Sequence, residues 1–118
     1  MRTTGKFGWV LIAAISLFAT SAFAGDDEKV ARMWKNKCGS CHGVDGKAQT
    51  KQGTKMGMVD ITTAAWQKEF TDEKIKETMI KGLQREKDGK KQKMDPLGKE
   101  LKDEEIAAII KVIRGLKK

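Results

Sequence analysis

A chain of 118 residues with 24 Lys and Arg against 16 Asp and Glu carries a formal net charge of +8, and its length holds one small domain. Two cysteines and one histidine exclude a closed intrachain zinc site built from four Cys/His ligands, unless carboxylates complete it. The positive balance favours an acidic partner, a nucleic acid or an anionic membrane surface.

Residues 1–24 have the make-up of a secretory leader. Arg2 and Lys6 form a positive start, Phe7 to Ala19 is apolar apart from Gly8 and Ser16, and Ala22-Phe23-Ala24 matches the small-x-small cleavage pattern. The apolar run falls short of the roughly 20 residues that span a bilayer, so a cleaved leader is expected rather than an uncleaved anchor. Cleavage after Ala24 leaves a single domain of residues 25–118, and loss of Arg2 and Lys6 lowers its net charge to +6. Export disfavours nucleic acid as the partner of this charge. Roughly one residue in three is charged, and a domain this small and thin in apolar residues often depends on a cofactor, metal or disulfide.

Asp26 to Lys37 reads as a helix. Asp26, Asp27 and Glu28 suit the positive end of the helix dipole, and Val30, Met33 and Trp34 begin a stripe at helical spacing that runs into Lys37 and Cys38. Directly after it stands Cys38-Gly39-Ser40-Cys41-His42. The C-x-x-C-H spacing is that of c-type haem attachment. Two neighbouring thiols can each add to one haem vinyl group, and the adjacent histidine, the only one in the chain, can offer a nitrogen to the iron. A thioredoxin-like redox pair needs a βαβ context, and no strand pattern surrounds the motif. A structural disulfide between the two cysteines is the remaining alternative in an exported chain. Export agrees with haem, because covalent attachment generally needs reduced cysteines on the outer side of a membrane. The expected location is therefore the periplasm.

Gly43 to Val59 shows no periodicity, contains four glycines and carries Lys47, Lys51 and Lys55. It reads as a long loop of the kind that wraps a ligand. Thr62 to Phe70 reads as a short helix bearing Trp66 and Phe70. Thr71 caps the next helix, whose apolar face is Ile75, Met79, Ile80 and Leu83, with Gly82 as terminator. Arg85 to Lys93 is a charge run expected to be a solvated loop, followed by Met94 and Pro96. Asp103 to Leu116 is the clearest helix: acids open it, Ile106, Ile109, Ile110 and Ile113 form one stripe, and Arg114, Lys117 and Lys118 close it.

On these residues residues 25–118 resemble a small class I bacterial cytochrome c along nearly their full length. Lys37-Cys38-Gly39-Ser40-Cys41-His42-Gly43 carries one part of the resemblance. Lys93-Met94 followed by Leu101-Lys102-Asp103-Glu104-Glu105-Ile106 carries the other, and Ala64-Ala65-Trp66-Gln67 is also a family-like segment. The resemblance implies an all-α class I cytochrome c fold of about four helices around one covalently bound haem c. It implies thioether bonds at Cys38 and Cys41, and iron ligation by His42 and Met94. A thioether opposite imidazole favours the ferrous state.

Three departures stand out. Asp95 replaces the family's proline after the ligand methionine, with Pro96 one place later. No proline lies between His42 and Met94 to supply the carbonyl that orients the histidine, so another carbonyl is expected to serve. Lys102 takes the usual Ser/Thr cap position, leaving Asp103 as the expected cap.

Met33 and Met79 read as core, whereas Met56 and Met58 compete with Met94 for the iron. Trp66 is expected either to donate its indole N–H to a haem propionate or simply to pack on the porphyrin. The expected function is single-electron transfer between redox partners, not catalysis. Two basic loops would face an acidic-faced redox protein, and peripheral contact with membrane complexes is compatible with the charge. The alternatives are a haem sensor or enzyme with an open coordination position, and a relay subunit of a larger membrane redox complex.

Overall fold

The computed structural model describes residues 24–118. The secretory leader expected at residues 1–24 lies, but for Ala24, outside the described residues. The first helix, α1 (Ala24–Met33), does not end where its stripe suggests. It runs through a π-helical turn (Trp34–Cys38) into α2 (Gly39–His42), so the C-x-x-C-H motif sits at the end of one nearly continuous helical run. In the π turn the Gly39 N–H bonds to the Trp34 carbonyl, five residues back. Such widened turns are common at functional sites, and this one buries Trp34 and Cys38 on the same side.

The expected long loop contains a short helix, α3 (Lys51–Lys55), capped by Thr50, whose hydroxyl accepts from the Gly53 N–H at 2.9 Å. Helix α4 (Ala64–Glu69), capped by Thr63, starts two residues after the expected Thr62, whereas α5 (Asp72–Lys81) starts at the cap Thr71, as expected. Gly82, at φ 78°, ends α5 in a conformation that glycine adopts freely. Leu83 consequently falls outside that helix.

The charge run is not a loop. Leu83–Lys87 (β1) and Lys90–Met94 (β2) form an antiparallel hairpin in which Leu83 faces Met94 and Arg85 faces Gln92. Asp88 and Gly89 make its two-residue turn with φ 52° and 74°, the signature of an Asp-Gly hairpin. The fold is thus mostly helical, as expected for class I cytochrome c, with six α segments, one π turn and one small sheet among the described residues rather than about four helices.

Helix α6 (Asp103–Gly115) packs on α1 and α5. Ile109 is 0% and Ile106 1% exposed, and Ile113 is buried beside them. These residues join Trp34, Cys38, Ile61, Phe70, Ile75, Met79 and Leu101 in one core. Lys102, not Asp103, occupies the α6 cap position. A lysine side chain cannot accept from the helix, so only one half of a capping box exists: the Glu105 carboxylate accepts from the Lys102 N–H at 3.1 Å.

Arg114 does more than complement the α6 dipole. Its guanidinium donates to the carbonyls of Gln67 (2.9 Å) and Phe70 (2.6 Å), the Gln67 side-chain oxygen (2.9 Å) and Asp72 (2.8 Å). Gln67 in turn donates to the carbonyls of Ile61 (2.8 Å) and Ile113 (3.0 Å). The end of α6 is thereby fastened to the α4–α5 corner.

Candidate haem-binding site

Cys41 and His42 end α2, and the carbonyls left free there find partners in the following segment. The Ala48 N–H donates to the His42 carbonyl at 2.7 Å, and the Thr50 hydroxyl to the Cys41 carbonyl at 2.7 Å. Gly43, at φ 76°, turns the chain out of the helix. Both cysteines are free thiols, Cys38 buried and Cys41 half-buried, so no disulfide joins them. Burial, reinforced by the neighbouring Cys41 and opposed by Lys37, pushes the Cys38 thiol up to about 11.

His42 lines a predominantly apolar cavity of the domain. Burial lowers its pKa, so the imidazole is neutral at pH 7. Its Nδ1 is sealed from solvent with no hydrogen-bond partner. The carbonyl expected to replace the family's proline carbonyl is therefore not supplied. The ring instead lies against Trp34, with centroids 6.1 Å apart and planes 23° from parallel, and the Trp34 indole N–H is anchored on the Val44 carbonyl at 3.0 Å. Trp34→Phe keeps an aromatic face on His42 but removes that anchor. A loss of about 1 kcal/mol is expected, measurable as a lower midpoint in urea unfolding.

The cavity is partly open to solvent and predominantly apolar, the character of a cofactor cleft. Ile61, Trp66, Phe70, Ile75, Leu83 and Ile113 give it apolar walls. Met58, Met79 and Met94 also line it, and Met94 stands at the end of β2. Met56 does not line it; its sulfur accepts from Gln52 Nε2 at 3.4 Å. Met79, read from its helix as core, is both buried and a wall of the cavity. Met33 packs against the core. Trp66 lines the cavity and stacks on Phe70, centroids 4.8 Å apart.

Cys38 and Cys41 are not among the lining residues, although they lie in the same helical run as His42.

Sequence reasoning missed Arg85 and Gln92. They face each other across the hairpin, and both reach the cavity wall. Arg85 Nε donates to Gln92 Oε1 at 2.7 Å, and its guanidinium lies 5.2 Å from the centre of the Phe70 ring. The Asp88-Gly89 turn fixes this register and is the signal that could have found the pair.

The donor set fits a c-type haem: two free thiols beside a buried, neutral imidazole, and a largely apolar cavity with thioether sulfurs on its walls. A family model for cytochrome c matches residues 28–117. A solved structure of the KustC0563 c-type cytochrome is similar, with a TM-score of 0.62 and 33% identity over 75% of this chain and 96% of that one. A tyrosine-to-phenylalanine mutant of the same protein gives a TM-score of 0.59 and 32% identity over 75% and 98%. No curated protein matches. The chain belongs to the cytochrome c family. Its cofactor is covalently attached haem c and its class of activity is electron transfer.

Proposed function

We propose that this is a periplasmic monohaem electron carrier in which Cys38 and Cys41 would hold the haem and His42 and Met94 would ligate its iron. The observation that carries the ligand reading is that His42 and Met94 line one predominantly apolar cavity. The bound haem supplies one-electron chemistry. The residues of the chain do the rest. Neutral His42 presents a nitrogen lone pair without first losing a proton, and Met94 presents a soft sulfur that favours the reduced iron. Ile61, Ile75, Leu83 and Ile113 exclude water. With His42 and Met94 both on the iron, small molecules would be kept out and little would have to move when an electron is exchanged. Trp66, on the cavity wall beside Phe70, packs against the haem or holds a propionate with its indole N–H. Potentiometric titration of the holoprotein tests the carrier reading: a single reversible one-electron step with no turnover of small oxidants is expected.

Docking rests on charge. Lys90 and Lys91 are exposed on the hairpin and take part in no ion pair among the described residues, whereas Lys87 is paired with Glu69 (2.8 Å) and Lys93 with Asp95 (3.6 Å). Lys51 and Lys55 are exposed on α3. These cations would steer an acidic-faced redox partner to the haem edge, in a contact that is small, transient and weakened by salt. Reversing Lys90 and Lys91 to glutamate is expected to slow bimolecular electron transfer with an acidic partner about tenfold or more at low ionic strength, with the difference fading above physiological salt. Equal rates at low salt in stopped-flow measurements would move the docking face elsewhere. No described helix is long and apolar enough to cross a membrane.

A further inference from the structure

The segment between the haem motif and the hairpin is fastened at both ends, and each fastening uses a glycine. At one end the Thr50 hydroxyl holds the Cys41 carbonyl at 2.7 Å, and a side chain on Gly53 would overlap that same carbonyl oxygen. At the other end Gly57, at φ 67°, lies so close to the hairpin that a Cβ would overlap the Lys91 carbonyl oxygen. Beside it the Lys93 N–H donates to the Met56 carbonyl at 3.1 Å, so residue 56 adds a single strand-like bond to the outer edge of β2. Between the two ends the Met58 N–H returns to the Gly53 carbonyl at 2.8 Å, closing the segment on itself.

From these contacts we infer that residues 50–58 are a strap that positions Met94 against the cavity by clasping β2 to the end of the haem motif. This rests on the reading of Met94 as axial ligand. The hairpin pairs only with itself as a sheet, and an isolated two-stranded hairpin is marginally stable. The clasp lies on Lys91 and Lys93, immediately before Met94, whereas the turn at Asp88 and Gly89 is remote from it. Gly57 lines the cavity, but a side chain there meets the backbone of Lys91 and Gln92 and pushes β2 away from α3, so it acts on Met94 as a positioning residue.

The test is carbon monoxide binding to the reduced holoprotein, in the wild type and in Met94→Ala, Gly57→Ala and Gly89→Ala. Gly89 has a similar positive φ of 74°, but a Cβ there meets nothing within 4 Å, so Gly89→Ala weakens the hairpin without striking the strap. The rate of entry scales with the fraction of molecules in which the sulfur is off the iron. Gly57→Ala is expected to bind carbon monoxide about tenfold faster than wild type, with a weakened sulfur-to-iron charge-transfer band in the oxidised form, and Gly89→Ala less than about threefold faster. If Met94→Ala itself matches wild type, the ligand reading fails. If Met94→Ala is fast but Gly57→Ala matches wild type, or Gly89→Ala matches Gly57→Ala, the strap is overturned. Should Gly57→Ala not accumulate as holoprotein, amide hydrogen exchange decides. Coupling is reciprocal, so Met94→Ala must speed exchange at the Lys93 N–H, and unchanged protection there overturns the inference.

Discussion

Met94→Ala is expected to abolish the sulfur-to-iron charge-transfer band, open the reduced protein to carbon monoxide and lower the reduction potential by the order of 0.1–0.3 V. Axial ligands command a range of roughly 0.8 V in haem proteins, and a thioether sits at the end that favours the ferrous state. Removing it leaves His42 as the only strong donor from the chain. The controls are set by the cavity, which Met58 and Met79 also line. Met58→Ala and Met79→Ala should keep the band. If Met58→Ala loses it while Met94→Ala does not, the distal ligand comes from the α3 segment and not from the hairpin. Met79→Ala has a separate signature, because that side chain is buried in the core. It should lower stability by about 2–4 kcal/mol while leaving the potential within a few tens of millivolts.

The second large effect is at Arg114. Arg114→Ala is expected to destabilise the holoprotein by about 2–4 kcal/mol, read from denaturant midpoints at constant slope. The Asp72 contact contributes little of this, since that carboxylate is largely exposed. The main loss is at Gln67 and Phe70, whose carbonyls accept from the guanidinium and would be left without that partner. Arg114→Lys keeps the charge but cannot span four acceptors with one ammonium, so it should recover less than half of the loss. Trp66 and Phe70 lie on the corner that Arg114 holds and also line the cavity. The variant should therefore broaden the haem environment as well as weaken the fold. A loss below about 1 kcal/mol would mean that water replaces the guanidinium at the α4–α5 corner.

The parts of this fold that were legible in the sequence are those with local causes. Thr71 with the acids after it marked the start of α5, and isoleucines at helical spacing marked the buried face of α6. C-x-x-C-H needed no structure to be read as a haem site. The hairpin was hidden because only Leu83 and Met94, at its open end, are hydrophobic among its inward positions. Arg85 and Gln92 face the cavity and Lys-rich positions face solvent, so the period of two that betrays a strand is written in polar residues. Only Asp88-Gly89 announced it. The π turn at Trp34–Cys38 has no local signal, and it reflects the demands of the core around Trp34 and Cys38. The orienting carbonyl expected for His42 is absent because that reading transferred a partner from relatives that have a proline here. In this chain Trp34 stacks on the face of the ring instead.

His42 and Met94 on one iron is the central claim, and the absorption spectrum of the wild-type holoprotein tests it most directly, oxidised and reduced, with and without carbon monoxide. A low-spin c-type spectrum with the sulfur-to-iron band, unchanged by carbon monoxide over minutes, is the expected result. A high-spin spectrum that shifts at once on adding carbon monoxide would contradict it and point to a sensor or enzyme with an open position.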